Sequence, residues 1–115
     1  MRFAVAVFAL LVAPTAMAGA DRCSAPFGPV VPDGATASQG EMRNARAEVL
    51  AFVKDSDTYQ DCLVRVMDDP KEEMKEPQKK AVLKQISANQ REKEEVATAF
   101  NTALKAFKAR GLTLD

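Results

Sequence analysis

Histidine and tryptophan are absent from this chain, and tyrosine occurs once. Without histidine the commonest general base, the commonest transition-metal ligand and the side chain that titrates near neutrality are all missing. One tyrosine and no tryptophan count against a surface that stacks bases. Charge of one sign is also missing: 16 Lys and Arg balance 16 Asp and Glu. Such a balance gives no pull toward nucleic acid or an anionic membrane. Long apolar runs are scarce too. One stretch, Phe3 to Val12, runs ten residues without a polar side chain. As helix it covers about 15 Å, half of a bilayer core of roughly 30 Å. No glycine-rich phosphate loop and no N-glycosylation acceptor occur.

That apolar run has a different reading. Met1-Arg2 is a short positive start, Pro14 breaks the run, and Ala16-Met17-Ala18 and Ala18-Gly19-Ala20 follow. This is the pattern of a cleavable export signal over residues 1–20, cut after Ala18 or Ala20. A lipoprotein is excluded because Arg22, not a small residue, precedes Cys23. Export implies a periplasmic or extracellular protein, with no stable membrane insertion once the signal is gone. About 95 residues then remain, one small domain. Losing Arg2 leaves 15 basic against 16 acidic residues, a net charge of −1.

The mature chain reads in three parts with a short tail. Residues 21–37 form an arm rich in proline and glycine, with Pro26, Pro29 and Pro32. Three prolines so close favour extended, polyproline-like backbone. Phe27, Val30 and Val31 weigh against a solvated linker. A helix is expected over 38–68. Ser38 and Glu41 make an S-x-x-E capping box, each side chain accepting from the other's backbone N–H. Met42, Ala45, Val49, Phe52, Ser56, Tyr59, Leu63 and Val66 then recur at spacings of three and four, a heptad seam interrupted by Ser56. Asp68-Asp69-Pro70 stops it, and 69–76 is a connection. A second helix is expected over 77–110, opened by Pro77. Its seam is Val82, Ile86, Asn89, Lys93, Val96, Phe100, Ala103 and Phe107. Lys105, Lys108 and Arg110 suit its negative end, Gly111 the position past it, and residues 111–115 are a tail.

The fold class that follows is all-α: an antiparallel two-helix hairpin, coiled-coil-like, with an extended arm at its N-terminal side. In an antiparallel pair, facing residue numbers sum to a constant. A turn near 72–73 gives a sum of about 145. Leu63 then faces Val82, Tyr59 faces Ile86, Val49 faces Val96, Ala45 faces Phe100, and Met42 faces Ala103. Ser56 faces Asn89, a polar layer that can pin register. Phe52 faces Lys93, whose ammonium can reach outward.

Cys23 and Cys62 are the only cysteines. An intramolecular disulfide is the first reading, because export systems oxidise lone pairs. An intermolecular bridge or two free thiols are the alternatives. From Ser38 to Cys62 a helix covers about 36 Å, and the arm from Cys23 to Ser38 reaches about 46 Å as polyproline II. The arm must therefore stretch back along the first helix. Phe27, Val30 and Val31 are expected to cover an outer apolar stripe near Leu50 and Val53.

Candidate sites for chemistry fail one by one. If the cysteines are bridged, no thiolate nucleophile remains. Asp55-Ser56-Asp57-Thr58-Tyr59-Gln60-Asp61 begins like a calcium loop. Gln60 stands where that loop needs Gly, however, and Val66 where it needs Glu. Met42, Met67 and Met74 lack the clustering of a copper tract. No catalytic, cofactor or metal residue is expected.

Several local features are similar to a group of small exported proteins of Gram-negative bacteria without an assigned function. They are Cys23-x-x-Pro26, the Pro32-Asp33-Gly34-Ala35-Thr36-Ala37-Ser38 entry, Met42, Phe52, Tyr59-x-x-Cys62 and Phe100-Asn101. The resemblance implies a periplasmic helical hairpin and no activity. The expected function is non-catalytic: an interaction or structural module presenting a helical surface to a protein partner or to itself. The alternative is a small inhibitor or chaperone-like binder of another exported protein. Two helices bury little, so a homodimer forming a four-helix bundle is expected as well.

Overall fold

The computed structural model describes residues 22–114; the signal-like segment 1–20 lies outside them. Among the described residues there are two helices and no strand. α1 spans Gln39–Asp68 and α2 spans Glu76–Lys108, with 30 and 33 residues. Ser38 caps α1 through its Oγ, which accepts from the Glu41 N–H at 3.1 Å. The Glu41 carboxylate accepts from the Ser38 hydroxyl at 3.3 Å, where the capping-box pattern had it take the Ser38 backbone N–H. Asp69 turns to extended backbone and ends α1, and its Oδ1 accepts from the Lys71 N–H. Pro70 cannot continue the helix. α2 opens one residue before Pro77. The Lys75 N–H donates to Gln78 Oε1 at 2.9 Å, half of a capping box. α2 closes two residues short of Arg110, and Gly111 takes a φ of 78°, the left-handed conformation glycine adopts past a helix end.

The helices run antiparallel. Cross-connections link Gln39 to Thr113 at one end and Ser56 to Asn89 near the middle. Buried side chains form two clusters. At the open end Met42, Ala45, Val49, Phe100, Ala103 and Phe107 pack with Ala37. At the turn end Tyr59, Leu63 and Val82 pack with Cys23, and Ile86 lies against them. Between the clusters sit Phe52, Ser56 and Asn89, all buried. The Asn89 amide donates to Ser56 Oγ at 3.3 Å. Gln60 Nε2 donates to Asn89 Oδ1 at 2.9 Å and to Gln90 Oε1 at 3.1 Å. No buried side-chain polar atom is left without a partner among the described residues. Lys93 stays half-buried, and its ammonium reaches Asp57 Oδ1 at 2.7 Å.

The arm corrects one expectation. Phe27 and Val30 do not cover the stripe near Leu50 and Val53. They are 97% and 90% exposed, and Leu50 is 64% exposed. Val31 alone of the three packs on the open-end cluster. The arm instead leans on α2. A side chain at Gly28 would meet Glu92 Oε1 at 2.7 Å and Val96 at 3.5 Å. Gly34 sits so close to the Ala103 carbonyl that a Cβ would overlap it. The physical reason is room. Ala99, Ala103 and Ala106 offer a shallow face on which backbone can lie, whereas Leu50 sits on the far side of α1.

Candidate interaction site

The site is the arm, and it is held at both ends. At the turn end Cys23 and Cys62 form a disulfide with Cα atoms 5.7 Å apart. Cys23 is buried against Tyr59, Leu63 and Val82. An ion pair at 3.7 Å between exposed Arg22 and half-buried Glu72 lies beside it and adds little. A cleft of about 400 Å³ opens here, lined by Arg22 to Pro26 and by Asp55, Thr58, Tyr59 and Cys62.

The other end is held by hydrogen bonds that sequence reasoning missed. Asp33 starts a turn: its carbonyl accepts from the Thr36 and Ala37 N–H groups, and its Oδ1 from the Ala35 N–H. Arg110 Nη1 donates to the Gly34 carbonyl at 3.1 Å and to the Ala37 carbonyl at 2.6 Å. Its guanidinium also lies 5.6 Å from the Phe107 ring centroid. The sequence pattern assigned Arg110 to the negative end of a helix. Here it bridges the arm to the end of α2. Leu112 and Leu114 from the tail pack on the same cluster, and Gln39 Nε2 donates to the Thr113 carbonyl at 3.0 Å. Only the apolar, alternating look of Leu112-Thr113-Leu114 hinted at this.

Between the two anchors the chain is extended and bare. Residues 24–32 carry no helix, strand or turn. Among the described residues, no backbone hydrogen bond is formed by residues 24–32. Pro26, Pro29 and Pro32 keep such backbone extended without a ladder. Phe27 and Val30, three residues apart, face solvent.

The other sequence-singled residues fall elsewhere. Ser38 and Glu41 cap α1 at the open end. Ser56 and Asn89 meet in the core beneath the arm's level. Asp55 to Asp61 lie within continuous helix. Among the described residues no three His, Cys, Asp or Glu side chains are grouped to hold a metal ion. No described helix is long and apolar enough to cross a membrane.

These features define a class: a disulfide-clipped helical hairpin carrying an anchored, extended loop. No protein-family model, no curated protein and no solved structure matches the chain.

Proposed function

We propose that the protein is an exported, non-catalytic interaction module, and that its arm is the surface it presents. The exposure of Phe27 and Val30 carries this reading. Two large apolar side chains are held out of a core that has every energetic reason to take them. Burying each would contribute about 1.5–3 kcal/mol. An extended, proline-bearing segment with unbonded backbone fits an apolar, aromatic-lined groove on a partner protein, the polyproline mode of recognition. Anchoring both ends removes entropy that binding would otherwise cost. The disulfide is consistent with an oxidising, extracytoplasmic compartment.

The test is a photo-activatable residue at position 27, introduced into the full-length protein in its native cells, with Lys54 substituted likewise as control. A discrete adduct from position 27, absent from position 54 and abolished by Val30→Ser, is the expected result. Equal crosslinking from both positions, or none from position 27, contradicts it. An inhibitor would yield an adduct whose partner loses its own activity when the protein is added.

A further inference from the structure

The arm fills one of the two grooves flanking the seam. It lies against Asp55, Tyr59 and Cys62 of α1 and Glu92, Val96 and Ala103 of α2. Among the described residues no chain segment covers the opposite groove, which the Lys93–Asp57 ion pair and the Gln60–Gln90 hydrogen bond cross. Val53, Gln60 and Met67 recur every seven residues along its α1 side, and Leu83, Gln90 and Ala97 along its α2 side. Leu83 is 50% exposed, and Leu50 beside Val53 is 64% exposed. We infer that a second copy of this chain closes this groove, making a four-helix homodimer with the Gln60–Gln90 pair at its two-fold axis.

The pattern is self-complementary about its centre. Gln60 and Gln90 are bonded to each other at 3.1 Å, and apolar residues lie one heptad away on either side. Gln60 donates twice, to Asn89 and to Gln90, while its own Oε1 accepts no hydrogen bond among the described residues. A two-fold axis through this pair and perpendicular to the helices sends Val53 onto Met67 of the second copy and Leu83 onto Ala97. The polar centres coincide, so each amide meets an amide that can both donate and accept. The size fits as well. The axis lays α1 on its copy from Phe52 to Asp68, about 24 Å, and α2 on its copy from Glu76 to Leu104, about 42 Å, each helix roughly 10 Å wide. That area, on the order of 700 Å², is close to one side of a standard interface, about 800 Å². The arm is on the opposite side and stays free in the dimer.

Sedimentation of the oxidised protein across a concentration series tests this. The wild type is expected to be a dimer at tens of micromolar. Leu83→Lys and Leu50→Lys, both at exposed positions, are each expected to weaken it at least tenfold with helical content unchanged. Phe27→Ser should leave it intact. Hydrogen exchange of the unmodified protein supplies a second readout. Raising concentration should protect segments 50–67 and 83–97 but not 24–32. A wild type that stays monomeric overturns the inference. So does a dimer that tolerates both lysines, or one whose concentration-dependent protection falls on the arm.

Discussion

At the scale of single residues, two glycines six positions apart do opposite things. Gly34 is buried where the arm crosses α2, and any Cβ there collides with the Ala103 carbonyl. Backbone cannot step aside as the end of a side chain can. Gly34→Ala is therefore expected to cost about 2 kcal/mol or more. Gly40, in the first turn of α1, has only Ser38 Oγ within reach, at 3.9 Å. Gly40→Ala is expected to stabilise by about 0.5–1 kcal/mol, through helix propensity and a less flexible unfolded chain. Urea unfolding of the two variants checks both signs. Arg110 is the second such residue. Its guanidinium satisfies two carbonyls at once, so Arg110→Ala should cost about 1.5–3 kcal/mol. A loss of stability of less than a few tenths of a kcal/mol would mean that water replaces it freely. Neither role was legible in the sequence. Gly34 reads only as one glycine of the arm and Arg110 as a helix-end cation, because close approach and long-range bridging leave no local pattern.

At the scale of elements, the hairpin's periodicity carried most of what the sequence could tell. Spacings of three and four placed Met42, Leu63, Val82 and Phe107 inward, and they are the most completely buried side chains with Ser56. The coincidence of Ser56 with Asn89 was legible for the same reason: a seam is one-dimensional, so a polar interruption in one helix marks its partner's. The layer divides the core into two clusters and joins α1 to α2 through Gln60. Asn89→Ala leaves Ser56 Oγ buried without its donor, and is expected to cost about 1–3 kcal/mol. Ser56→Ala with Asn89→Leu should recover most of that loss while relaxing register. Thermal melts of the single and double variants report the coupling. A double variant as unstable as the sum of its parts would contradict a shared layer. What the periodicity did not contain was the arm's direction. Prolines state that the chain is extended, not which side of it packs. Small alanines on α2, unremarkable in a helix, decided where backbone could lie and so which side chains faced out.

At the scale of the whole molecule, a disulfide and a hydrogen-bonded bridge tie non-helical chain to the two ends of a helical pair. Closing a loop of 39 residues contributes about 4 kcal/mol on the chain-entropy model, a large share of a small domain's stability. Cys23→Ser with Cys62→Ser is thus expected to lower stability by about 2–4 kcal/mol. It should free residues 23–30 while the Gly34–Arg110 contact still holds the far end. The central claim is that the bare segment is held rather than loose. Nitrogen-15 relaxation at the Phe27, Gly28, Val30 and Val31 amides tests it most directly. The oxidised protein should give order parameters close to those of α1 and α2, about 0.85, falling below about 0.6 when the disulfide is reduced. Values below about 0.6 in the oxidised protein would show the arm to be a loose tether and contradict the account.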